Sequence, residues 1–166
     1  GSSVSGTCAS CAAGWHGFAS TGSLPYWAYT TSCNMPSTSN PTGFPAEFAR
    51  WSYSGLKAGT YKVTAYVTAQ TCSPKCKGGT VDKSLYSTSV PYRLYAGSTF
   101  LNSTTLNHAG TAGQWSPIFS GVTMSAGQSG ALYMYNTLSS SCCVTGGCGQ
   151  STRVIADHVQ FCYTGP

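Results

Sequence analysis

Charge is what this sequence has least of. Of 166 residues, eight are Lys or Arg and three are Asp or Glu, 7% in all, where a soluble domain ordinarily carries about a quarter. With Glu47, Asp82 and Asp157 as the only carboxylates, glycosidase chemistry is poorly served, because it sets two carboxyl groups on either side of one bond. The G-x-S-x-G elbow, H-E-x-x-H and phosphate-cradling glycine patterns are all missing. His16, His108 and His158 stand far apart in the chain, and a lone histidine is usually a surface or hydrogen-bonding residue. The expectation is no enzyme and no cofactor. The cations form neither a run nor a helix-spaced stripe, so the net charge of +5 does not point to nucleic acid. No apolar run approaches the roughly 20 residues of a membrane helix, and no membrane span is expected. No signal peptide heads the chain, as expected of a processed, mature product. Solubility must rest on hydroxyls and amides, which suits a protein held at high local density or in an assembly, outside the cell.

Cysteine, by contrast, is plentiful. Nine stand at Cys8, Cys11, Cys33, Cys72, Cys76, Cys142, Cys143, Cys148 and Cys162, and in a charge-poor, Ser/Thr/Tyr-rich chain they read as an extracellular disulfide framework. The Cys8/Cys11 and Cys72/Cys76 spacings also occur in zinc sites, but no nearby histidine completes a ligand set. Ala12 follows Cys11, so the haem-attachment motif is broken. Adjacent α-carbons lie about 3.8 Å apart, short of the roughly 4.4 Å a disulfide needs. Cys142 and Cys143 should therefore bond to different partners. The run SSSCCVTGGCGQ (139 to 150) then pins a long loop, and closing such loops stabilises by about 2 to 4 kcal/mol. Nine is odd, which leaves at least one thiol free, capped by a small thiol, or bonded to another chain.

Helical periodicity is absent. The stretch TYKVTAYVTA (60 to 69) alternates Tyr61, Val63, Ala65 and Val67 against Lys62, Thr64, Tyr66 and Thr68, the two-residue period of a half-buried strand. Gly55 to Gly59 is turn chemistry, and 91–96, 130–137 and 153–163 repeat the β-branched and aromatic enrichment. The fold class is all-β, an antiparallel sandwich with disulfide-stapled loops at 71–89 and 138–150. In a regular strand Asp157 shares a face with Ile155, Val159 and Phe161, which points it inward. Its carboxylate should then accept backbone or tyrosine hydrogen bonds, pair with Arg50 or Arg153, or hold calcium. Trp51 and Trp115 are expected between the sheets. Trp15, Tyr26, Trp27 and Tyr29 lie in less regular sequence, where they pack into the core or cap it, or present rings to a sugar or a neighbouring subunit. Asn102-Ser103-Thr104 is a formal N-glycosylation acceptor.

The series RWSYSGLKAGTYKV (50 to 63), PYRLY (91 to 95), GTAGQWSPI (110 to 118), MSAGQSGALYMYN (124 to 136) and VIADHVQF (154 to 161), with GFASTGSLPYW (17 to 27) upstream, resembles the golvesin-like domain. The resemblance implies a jelly-roll-like β-sandwich spanning 14–166, of a kind found with polysaccharide lyases and presumed to bind carbohydrate. Residues 1–13 are then an extension, read as a donated strand or a cross-link. The chain departs from the family in that extension, in its two cysteine loops and in having no catalytic domain attached. Two functions follow as expectations. The first is a structural subunit that forms a homo-oligomer or polymer in an extracellular fibre or sheath. The second is a module that binds polysaccharide.

Overall fold

The alternation at 60–69 is a strand with the expected phase. In the computed structural model, which describes residues 2–5, 16–17, 26–29, 37–42, 48–69, 86–136 and 153–166, Tyr61, Val63, Ala65 and Val67 are buried and Lys62 is exposed. The described residues form β1 (Ser2–Ser5), β2 (His16–Gly17), β3 (Tyr26–Tyr29), β4 (Phe48–Tyr53), β5 (Gly59–Tyr66), β6 (Val90–Ala96) and β7 (Thr99–Leu106). A single turn of helix, α1 (His108–Thr111), precedes β8 (Trp115–Met124), β9 (Gly130–Tyr135), β10 (Arg153–Ala156) and β11 (Val159–Gly165). All strand pairs are antiparallel, in sheets ordered β1-β4-β9-β6-β7, β10-β3-β2 and β11-β5-β8.

One core joins these sheets. Trp51 and Tyr53 of β4, Leu94 of β6 and Leu132 of β9 pack in the same cluster as Val63 of β5, Phe119 of β8 and Val154 of β10. Each fully buried Val or Leu contributes about 1.5 to 3 kcal/mol, and the two-residue period delivers them all to one side. β9 is buried on both faces. Its odd positions, Ala131, Tyr133 and Tyr135, join Phe48 and Tyr95 in a second cluster behind the five-stranded sheet. There the Arg50 Nε donates to the Tyr133 hydroxyl at 3.2 Å, the guanidinium of Arg93 lies 5.6 Å from the Tyr135 ring, and Tyr135 donates to the Pro41 carbonyl at 3.0 Å.

Three expectations need correction. The single strand read at 153–163 is two, β10 in one sheet and β11 in another, with Asp157 and His158 between them. A carboxylate pointing inward needs donors that a regular ladder does not supply. Asp157, 3% exposed, takes them from the Thr68 hydroxyl and from His158 Nδ1. Its carbonyl accepts from Trp51 Nε1 at 2.9 Å, so the chain is anchored where it changes sheet. Second, Trp51 is inside as expected, but Trp115 is 50% exposed. Along β8 it is Ser116 and Ile118 that turn inward, and alternation leaves Trp115 and Pro117 outside. Third, Ser2–Ser5 of the N-terminal extension pairs with β4 of its own chain, Ser2 opposite Trp51 and Ser5 opposite Phe48. These four residues are an edge strand of this sheet.

Replacing Asp157 with Ala strands two donors beside the core. The expected cost is about 1 to 3 kcal/mol in chemical denaturation, unaltered by added calcium. A variant that melts like the parent would show that the carboxylate holds nothing in place.

Candidate functional site

β5 is the centre of its sheet, and its outward positions define a surface. Residues opposite one another in an antiparallel pair share a face. Tyr66 stands opposite Trp115 of β8, their rings 5.6 Å apart, and its amide donates to the His158 carbonyl at 2.9 Å. One row across the sheet therefore reads Trp115, Tyr66, His158. The next reads Pro117, Thr64, Gln160, and the third places Cys162 opposite Lys62.

His158 is the polar fixture of this face. Its side chain is 63% exposed, and its Nδ1 is held by the buried Asp157 carboxylate. That bond orients the ring, and among the described residues Nε2 has no partner. Thr64 sits at the middle of the surface, 8% exposed, and its hydroxyl has no hydrogen-bond partner among the described residues. An exposed indole beside a tyrosine, an oriented imidazole nitrogen and the exposed Gln160 can stack on an apolar ring face and exchange hydrogen bonds with hydroxyls around it.

A second polar cluster lies behind this surface, inside the core. His108 of α1 is fully buried; its Nδ1 accepts from the Ile155 amide at 3.2 Å, and its Nε2 lies 3.0 Å from the Tyr92 hydroxyl. With Nδ1 accepting, Nε2 carries the proton and donates to Tyr92. Burial pushes this imidazole down to about 3, and burial followed by the Asp157 charge pushes the Tyr92 phenol up. Both stay neutral across the physiological range. The role is structural, since His108 satisfies the free edge of β10.

The residues singled out from sequence fare unevenly. Trp15 and the cysteines other than Cys162 lie outside the described residues, as do Glu47 and Asp82. Tyr26, Trp27 and Tyr29 lie on β3, paired to β2 and β10. Cys162, counted with the disulfide framework in the sequence reading, is half-buried and forms no disulfide among the described residues. Asn102 is exposed on β7, an edge strand. Among the described residues, no three His, Cys, Asp or Glu side chains are grouped to hold a metal, and no helix is long and apolar enough to cross a membrane. The Trp115 surface was missed because burial was assigned by residue type. The available signal was spacing, since Trp115 and Ile118, three apart in one strand, must face opposite ways.

Fold and site define an antiparallel all-β protein with one mixed aromatic and polar sheet face. Comparison with protein-family models, curated proteins and solved structures finds no match for this chain.

Proposed function

We propose that this protein is a non-catalytic, extracellular structural subunit that assembles with copies of itself through an open sheet edge. The observation that carries this is β11: among the described strands it ends its sheet, and VQFCYTG contains no charge and no proline. Edges of soluble proteins are ordinarily blunted by lysine, proline, bulges or a covering segment; of these β11 shows a single register shift, between Tyr163 and Gly165 at its end, and the charge-poor composition offers little general repulsion besides. Golvesin-like resemblance supports the finer architecture, a jelly roll, and the nine cysteines support stapled loops suited to an oxidising exterior. Sedimentation and negative-stain microscopy should show oligomers or polymers for the parent chain. A double variant, Gln160→Lys with Thr164→Lys, both at exposed positions, should remain folded and become monomeric. Assembly undiminished by the two lysines would remove β11 from the interface.

The Trp115 surface favours a second, compatible function, binding of an extracellular polysaccharide. Trp115→Ala should lower retention on an insoluble polysaccharide at least tenfold, because stacking on such a ring is the main source of affinity in a flat site, while leaving the melting temperature nearly unchanged. Equal retention of variant and parent would reject this surface as the sugar site.

A further inference from the structure

We infer that the partner of β11 is the β11 of a second copy, paired antiparallel about a two-fold axis at Cys162 and locked by a Cys162–Cys162 disulfide. The inference rests on the assembly reading above and specifies its register.

Hydrogen-bond phase decides which residues can face the new strand. The Tyr66 amide bonds to the His158 carbonyl, and the register runs on from there through Gln160 opposite Thr64 to Cys162 opposite Lys62. In an antiparallel ladder bonded pairs recur every second residue, so His158, Gln160 and Cys162 spend their backbone groups on β5. Val159, Phe161 and Tyr163 turn theirs to the free edge. A second β11 can bond to those groups, and Cys162 lies at the midpoint of Val159–Gly165. Antiparallel pairing about that midpoint sets Phe161 against Tyr163, Gln160 against Thr164 and Cys162 against itself. With Phe161 and Tyr163 as the bonded pairs, Cys162 falls at a non-bonded pair, where opposed α-carbons are about 4.5 Å apart. That separation lies inside the range of about 4.4 to 6.8 Å for a disulfide. Phe161 packs against the core, so the thiol of its neighbour stands on the opposite, outer face.

Three other edges are less suited. β8 carries Pro117 and two register shifts inside its pairing with β5, where β11 carries one, beyond Tyr163 at its end. β7 carries the exposed Asn102 of an N-glycosylation acceptor. The edge amide of Ile155 in β10 is taken by His108. Joining two β11 strands extends the sheet to six strands and brings both Trp115 surfaces onto one face. Such a pairing closes a dimer, the unit from which a larger assembly would be built by another contact.

The bond forms by exchange with a low-molecular-weight disulfide, RSSR. The Cys162 thiolate of one copy attacks RSSR and releases RS⁻; the second copy's Cys162 attacks the mixed disulfide and releases another, so two thiols and one RSSR give one protein disulfide and two RSH.

The test is peptide mapping of the full chain after incubation with oxidised glutathione, beside sedimentation of parent and Cys162→Ser protein. The expected result is a symmetric Cys162–Cys162 peptide, a covalent dimer lost in Cys162→Ser, and a Cys162→Ser dimer that dissociates on dilution where the oxidised parent does not. In a Cys162→Ser background, Gln160→Cys with Thr164→Cys should cross-link 160 of one copy to 164 of the other. Oligomers that form with neither bridge would overturn the register and leave the assembly reading standing. So would Cys162 recovered in a bond to another cysteine of its own chain. A protein monomeric at all concentrations, oxidised or reduced, would overturn both.

Discussion

Lowering the pH from 6.5 towards 3 will remove several kcal/mol of stability from this fold, and His108 will account for most of the loss. In the unfolded chain the imidazole takes a proton near its ordinary value of 6.5, whereas in the fold burial holds it down to about 3. Above 6.5 both states are neutral and the residue costs nothing. Between the two values the unfolded chain binds a proton that the native state does not, so stability falls as pH falls. The slope is about 1.4 kcal/mol per pH unit, and the whole window is worth about 5 kcal/mol at most. The check is a series of denaturant melts from pH 7 to 3.5 on the parent and on His108→Gln. At pH 7 the variant should be weaker by about 1 to 3 kcal/mol, since it cannot serve both the Ile155 amide and the Tyr92 hydroxyl. Its stability should then fall much less steeply with acid. Parallel curves for the two proteins would place the acid sensitivity elsewhere.

Gly130→Ala should be the most damaging single methyl in the described core. A β-carbon at Gly130 would lie 2.0 Å from the Tyr95 carbonyl oxygen and 2.6 Å from the Tyr53 hydroxyl, and those two atoms are themselves joined by a hydrogen bond of 2.7 Å. β9 would have to move away from both β4 and β6, or the Tyr53 bond would have to break inside the core. Overpacking of this kind costs about 1 to 3 kcal/mol, and the lost buried bond adds about 1 to 3 more. Gly97 is the control. It has φ +56 at the turn between β6 and β7, with nothing near its missing β-carbon, so Gly97→Ala should cost about 1 to 2 kcal/mol of backbone strain alone. Thermal melts that rank Gly97→Ala as the worse of the two would mean that β9 has room the structure does not give it.

The sequence by itself determined the fold class and the phase of the clearest strand. Alternation is a property of one strand and survives any arrangement of its neighbours, so TYKVTAYVTA could be assigned, inward residues included, before anything was known of its partners. It also pointed Asp157 inward, where it is buried, but through a regular strand that the structure breaks at 157–158. What it could not determine was who meets whom. The donors to Asp157 are Thr68, 89 residues away, and adjacent His158, and only the change of sheet at 157–158 brings them together. The buried His108 is one residue of a four-residue helix, and nothing local marks it as the partner of Ile155, 47 positions on. Trp115 shows the converse. Its bulk and apolar surface argue for burial, but its place opposite Tyr66 and out of phase with Ile118 puts it on the outer face. Type sets what a side chain gains from burial, and the register of the whole sheet sets whether it is buried. The place of β11 at the end of its sheet among the described strands belongs to the second kind of fact, because an edge exists only once the order of strands is known.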